Sequence, residues 1–128
     1  MGRFRPRPTD AELAILRVLW EHGPATVRQV HEVLADTRDT GYTTTLKLMQ
    51  IMAEKGLVSR DASSRTHVYS AGNTQEQTQH QLVQDLVDRA FGGSAAALVL
   101  RALSADGTSA DELQEIRRLI DDYREKPK

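Results

Sequence analysis

The stretch Gly41–Val58, GYTTTLKLMQIMAEKGLV, followed by Ser59–Ala71, SRDASSRTHVYSA, decides the fold of this 128-residue chain. Thr45, Leu48, Met49 and Met52 recur on one side of a helix, while Thr43, Thr44, Lys47, Gln50 and Glu54 fall on the other. The spacing therefore predicts a helix from about Tyr42 or Thr43, apolar inside and hydroxyl-and-basic outside. Gly56 is placed to end it as a left-handed C-terminal cap. Leu57–Arg60 and Thr66–Ser70 then alternate β-branched or aromatic with polar residues, with Asp61–Arg65 as the turn of a hairpin.

Upstream, Thr9-Asp10-Ala11-Glu12 has the T-x-x-E spacing of a capping box, in which each side chain satisfies the other residue's free N–H. Leu13, Leu16, Leu19 and Trp20 repeat after it at helical spacing, with Ile15 and Val18 beside them, until Gly23-Pro24 breaks the pattern. Thr26-Val27-Arg28-Gln29 repeats the cap and starts a second helix with Val27, Val30, Val33 and Leu34 as its apolar face. A polar turn, Asp36–Gly41, leads into the third helix. Three short helices and a hairpin make a winged helix-turn-helix over residues 1–72.

Downstream of Gly72-Asn73, which reads as a hinge, the character changes. GNTQEQTQHQ is a Gln-rich helix start, and Leu82, Val83, Leu86, Val87 and Ala90 form a stripe down to Phe91. Gly92-Gly93 breaks it, Ser94 caps a short helix over Ala95–Leu103, and Ala105-Asp106-Gly107 makes a turn. Ser109-Ala110-Asp111-Glu112 opens a last helix carrying Leu113, Ile116, Leu119, Ile120 and Tyr123 on one face. Three helices in residues 73–128 cannot bury that apolar surface alone, so the expectation is a helical dimerisation domain. Leu82, Leu86, Val87, Leu98, Leu103, Leu113, Ile116, Leu119, Ile120 and Tyr123 are its candidate contacts. The fold class is mainly α with a small β-wing.

Composition narrows the function. No Cys is present, which removes disulfides and thiolate metal sites. His22, His31, His67 and His80 lie far apart without ligand spacing, so neither metal nor cofactor is expected. No apolar run approaches the roughly 18–20 residues of a membrane span, and the Arg-bearing start lacks a signal peptide's apolar stretch. The expectation is a soluble cytoplasmic protein. Net charge is −1, but unevenly spread. Residues 1–72 hold ten Lys/Arg against eight Asp/Glu, and residues 73–128 hold seven against ten. A mildly basic front on an acidic back suits a DNA-reading module joined to an assembly module.

Catalysis finds no foothold. There is no G-x-S-x-G, no H-E-x-x-H, no phosphate-cradling glycine loop and no Cys nucleophile. Gly92-Gly93-Ser94 is a lone Gly pair at a helix boundary, and the neighbouring carboxylates Asp111-Glu112 and Asp121-Asp122 diverge on a helix surface.

DNA contact, by contrast, has a full set of candidates. Thr43 and Thr44 stand at the start of the third helix, where free N–H groups and the helix dipole favour a phosphate. Tyr42 stands at its mouth. One turn on, Lys47 suits guanine and Gln50 suits adenine. Arg60, Arg65 and His67 on the wing, and Arg28 on the second helix, suit backbone phosphates. Arg5 and Arg7, with Arg3, offer a basic arm for the backbone or a minor groove, the other reading being a solubilising terminus. Trp20, Tyr69, Met49 and Met52 read as core.

In these residues the chain resembles the BlaI/MecI (penicillinase repressor) family of transcriptional regulators. The likeness runs from TDAELAILRVLW at Thr9–Trp20, through GYTTTLKLMQIMAEKGLV and the R-x-x-x-Y of Arg65–Tyr69, to the last helix. It implies a homodimer that binds an inverted-repeat operator of TACA/TGTA type on double-stranded DNA. It also implies interlocking C-terminal helices and control of β-lactam-resistance or cell-envelope stress genes. The family's DNA-contacting helix start falls on Gly41, Tyr42, Thr43 and Thr44, and its next turn on Lys47. Where many relatives have Arg, this chain has Ile51, leaving Gln50 or Lys47 to supply the contact.

An inactivating sensor protease is a further implied partner. Protease-controlled members are cut at an Asn–Phe bond, whereas the aligned bond here is Arg101–Ala102, so the same cleavage specificity is not expected. Copper-responsive relatives carry C-terminal Cys pairs that this chain lacks. The sequence thus points to a dimeric repressor with no chemistry of its own. The alternative is a winged helix that docks another protein, with the acidic helical half as partner surface and no sequence-specific DNA binding.

Overall fold

The computed structural model describes residues 7–104 and 107–125. Arg3 and Arg5, and Ala105 and Asp106 of the expected turn, lie outside the described residues. The element order is α1 (Asp10–His22), α2 (Val27–Leu34), α3 (Tyr42–Lys55), β1 (Val58–Asp61), β2 (Val68–Ala71), α4 (Gln75–Ala90), α5 (Ala95–Ser104) and α6 (Ala110–Glu125). Two compact units divide within α4, between Leu82 and Val83.

Local chemistry sets the helix starts. Thr9 and Glu12 form both halves of a capping box on α1, with Thr9 N–H donating to Glu12 Oε1 at 2.9 Å. Thr26 and Gln29 do the same for α2. Thr74 and Gln77 do so for α4, a T-x-x-Q spacing that can be read in the sequence. Ser94 Oγ and Ser109 Oγ accept from the N–H of Ala97 and Glu112 at the starts of α5 and α6. α3 differs: its N-cap is Gly41, with no side-chain cap.

The first unit's core lies where α1, α2, α3 and β2 meet. Ile15, Leu16 and Leu19 come from α1, Val27, Val30 and Leu34 from α2, and Met49 and Met52 from α3. Leu57, Val58 and Tyr69 close it from the wing side. Met49 and Met52 are wholly buried, so truncating either to Ala should cost about 2–5 kcal/mol. The buried face of α1 is turned from the expected one: Ile15 and Val18 are core, while Leu13 and Trp20 are only half-buried. On α2, Val33 is exposed, because Val27, Val30 and Leu34 already span the inward stripe.

The strands pair antiparallel, with Arg60 opposite Tyr69 and Asp61 opposite Val68. Asp61 is therefore a strand residue, and the wing loop runs from Ala62 to His67 instead of Asp61 to Arg65. The cause is local: Asp61 Oδ1 accepts the Ser63 N–H at 2.9 Å, which turns the chain just after the strand. That N–H bond, followed by Ser63's hydroxyl and the charge of His67, holds the Asp61 carboxyl below the ordinary aspartate range. Ala25, between α1 and α2, exchanges both backbone hydrogen bonds with Tyr69, at 3.0 and 2.8 Å. The hairpin is thus sewn to the helical core and does not stand alone.

The second unit is built differently. Val87 is its one buried hydrophobic side chain among the described residues, and α5 and α6 bury none. Val83, Leu86, Val99, Leu100, Leu113, Leu119 and Ile120 are 41–56% exposed, and Tyr123 is 81% exposed. Among the described residues no helix is long and apolar enough to cross a membrane.

Candidate nucleic-acid interface

The third helix divides its threonines by position. Thr45 is wholly buried, its hydroxyl turned back on the Gly41 carbonyl at 3.2 Å. Thr43 and Thr44 are exposed, as are Lys47 and Gln50 one turn later. Because Gly41 brings no side chain, the first-turn N–H groups of α3 keep their positive end open beside those two hydroxyls. The other described helices carry a hydroxyl side chain at this point.

A groove of about 450 Å³ runs between the start of α2, the outer face of α3 and the wing. Arg28, Tyr42, Gln50, Arg60, Arg65 and His67 all line it. Six residues singled out from separate stretches of sequence thus converge on one surface, with three guanidiniums among them. A second hollow of about 370 Å³ adjoins Gln50 and Arg60 and includes Glu54, whose carboxylate bounds the basic surface. Thr43, Thr44 and Lys47 continue the face along α3 without lining the groove. Arg7 is described and exposed but is not part of the groove.

Tyr42 ties the surface together. The Arg28 guanidinium carbon sits 5.5 Å from its ring centroid, within cation–π range. His31 meets the same ring edge-on at 5.9 Å, and its Nε2–H donates to the Thr40 carbonyl at 3.1 Å. His31 therefore fixes both the turn before α3 and the aromatic at its mouth. Sequence reasoning passed it over, although its i+3 spacing from Arg28 places both on one face of α2.

A second omission lies at the other end of α3. Lys55 Nζ forms an ion pair with Glu12 of α1, which is almost entirely buried. Glu12 was legible only as a cap. A third is the Trp20 indole, whose Nε1–H donates to the Asn73 carbonyl at 2.9 Å. An indole N–H in a packed site needs an acceptor, but the sequence does not say which.

The C-terminal candidates are less uniform. Leu82, Leu98, Leu103 and Ile116 are half-buried, Val87 is buried, and Leu86, Leu113, Leu119, Ile120 and Tyr123 are exposed. Arg101 and Ala102 are both exposed on α5.

Proteins similar in sequence and fold are repressors. Residues 8–122 match the model of the penicillinase repressor family. The transcriptional regulator BlaI of Mycobacterium tuberculosis is 34% identical over 113 residues, covering 87% of this chain and 80% of that protein. The penicillinase repressor of Bacillus licheniformis is 22% identical over 96% of each chain. Among solved structures, the DNA-binding domain of the repressor BlaI superposes with a TM-score of 0.51 at 23% identity, over 58% of this chain and 90% of that one. The Bacillus licheniformis BlaI monomeric form in complex with the blaP half-operator gives a TM-score of 0.50, also at 23% identity, over 59% and 92%. Spanning both the winged helix and the helices beyond it, the chain belongs to the penicillinase repressor family.

Proposed function

We infer that this chain is a DNA-binding transcriptional repressor that reads an inverted-repeat operator as a homodimer. The observation that carries the reading is the convergence of Arg28, Arg60, Arg65 and His67 on one groove beside an exposed, uncapped α3. In this reading Thr43, Thr44 and Tyr42 hold phosphates at the helix start, and Lys47 and Gln50 face base edges. The arginines set register on the backbone, with Arg5 and Arg7 as a basic arm. The names of the relatives support repression, and one similar protein was solved with a half-operator.

The assembly half of the proposal takes residues 73–128 as the dimerisation domain. A protomer unit with one buried hydrophobic side chain cannot offset its own chain entropy. A second copy covering Leu86, Leu113, Leu119, Ile120 and Tyr123 supplies the missing burial. Two-fold symmetry then puts the two α3 helices about 34 Å apart, one turn of duplex. Inactivation is part of the proposal, through a protease of different specificity at the exposed Arg101–Ala102 bond or through another signal. The bond lies inside α5, so cleavage there requires that helix to open first.

The test is fluorescence anisotropy on random and selected palindromic duplexes across a salt series. A repressor binds random duplex weakly with a steep salt slope and binds its selected palindrome about 10³-fold or more tightly. Absence of any salt-dependent binding to duplex would sink the reading.

A further inference from the structure

Tyr42 is the first residue of α3, and two side chains of α2 meet its ring. Arg28 and His31 stand three residues apart, one above the other on a single face of α2. The Arg28 guanidinium carbon lies 5.5 Å from the ring centroid. The His31 ring meets the same ring at 5.9 Å, with the two planes at 86°. Arg28 and Tyr42 line the groove, whereas His31 is half-buried and does not. His31 therefore touches the groove without being part of its lining. All three residues belong to the first compact unit.

His31 has a second hold on the same region. Its Nε2 lies 3.1 Å from the Thr40 carbonyl, and because a carbonyl brings no proton, Nε2 carries the hydrogen. The turn between α2 and α3 needs this tie. Its backbone N–H groups bond back to α2 as far as Arg38, which donates to the Leu34 carbonyl at 2.8 Å. Gly41 then offers α3 no side-chain cap. The Thr45 hydroxyl steadies the first turn from the core, on the Gly41 carbonyl at 3.2 Å. The bond to Thr40 steadies the chain that enters that turn. A helix start with neither cap nor brace frays.

The brace has a consequence for Arg28. A free arginine gives up rotamer freedom when it meets a phosphate, and that loss weakens binding. A guanidinium held over a fixed ring gives up less. The cation–π contact also uses none of its N–H donors, so all remain open to phosphate oxygens.

We propose that His31 is a positioning residue of the DNA interface. By fixing Thr40 and the Tyr42 ring, it holds Arg28 ready for a backbone phosphate. This rests on the DNA-binding reading above.

The experiment uses full-length protein, with anisotropy on random duplex across a salt series, in double-mutant cycles. His31→Ala removes both contacts. His31→Phe keeps a ring beside Tyr42 and removes only the bond to Thr40, and it carries the test if circular dichroism shows the alanine variant unfolded. Each should lower affinity by about three- to tenfold and reduce the salt slope by up to about one, as the Arg28 contact weakens. In a Tyr42→Ala or Arg28→Ala background the same substitutions should add less than about twofold, because the residue they act through is gone. In an Arg65→Ala background, on the wing, they should cost their full amount. A merely structural role gives a different pattern: a lower melting temperature with unchanged duplex affinity, or equal losses in every background. Either result refutes the positioning role. If the wild type shows no salt-dependent binding to duplex, the DNA-binding reading itself fails and takes this proposal with it.

Discussion

Lys55 Nζ, in the last residue of α3, lies 2.8 and 3.0 Å from the two carboxylate oxygens of Glu12, at the start of α1. The contact spans 43 residues of chain and pins the C-terminal end of α3 to the core. Glu12 Oε1 also accepts the Thr9 N–H, so one carboxylate both caps α1 and anchors α3.

The anchor carries a pH signature. Burial alone would push the Glu12 carboxyl up, but the Lys55 hydrogen bond, the Thr9 N–H and the Lys55 charge outweigh it, and the group titrates below its ordinary 4.5. A carboxyl depressed by folding stabilises the fold above its unfolded pKa, and that stability drains away as pH falls through the folded value. Thermal melts from neutral pH down to about pH 3 should show a falling Tm that sets in below about pH 4.5. Glu12→Gln should start lower and fall less over that range. Parallel curves for the two proteins would show that Glu12 is not the group responsible.

Removing either partner of this pair should not cost the same. The Glu12 side chain is 3% exposed and that of Lys55 is 31% exposed. Lys55→Met strands a buried carboxylate, at about 3 kcal/mol. Glu12→Gln leaves an ammonium that can turn to water and an amide oxygen that still accepts from Thr9, at about 1–2 kcal/mol. Urea titrations of both variants measure the difference, and the reverse order would contradict the burial argument.

On the DNA side, two kinds of substitution should separate. Lys47→Ala and Gln50→Ala should each weaken operator binding by about 1–3 kcal/mol while leaving random-duplex affinity nearly unchanged. Arg60→Ala and Arg65→Ala should weaken both alike and reduce the salt slope by about one each. All four side chains are exposed, so the melting curves should stay in place. Equal losses on both duplexes for Lys47→Ala would move it from base reading to the backbone.

For the C-terminal unit, Leu86→Asp and Leu119→Asp should give monomers in sedimentation and reduce operator affinity to that of a single half-site. Wild-type Tm should rise with protein concentration, because association and folding are linked. A tight dimer in both variants would place the interface elsewhere.

The winged helix was largely legible because its signals are local. The caps at Thr9 and Thr26, the left-handed Gly56 and the two faces of α3 all fall where spacing puts them. The wing shifted along the chain because Asp61 folds back onto Ser63, a competition between side chain and strand that alternation does not register. The face of α1 turned because Glu12 occupies an inward position, which helical spacing of apolar residues ignores. Glu12–Lys55 and Trp20–Asn73 join residues 43 and 53 apart, and such partners exist only once the chain has folded. The convergence of Arg28 with the wing has the same origin, since each was visible singly while the groove was not.

The division of labour on α3 reaches beyond one operator. Thr45, Met49 and Met52 hold the helix in place, whereas Thr43, Thr44, Lys47 and Gln50 contribute nothing to the core. Substitutions among the outer four are therefore close to neutral for folding. If these four read the operator as proposed, a duplicated gene can exchange them one at a time and acquire a new set of target promoters without passing through an unfolded ancestor.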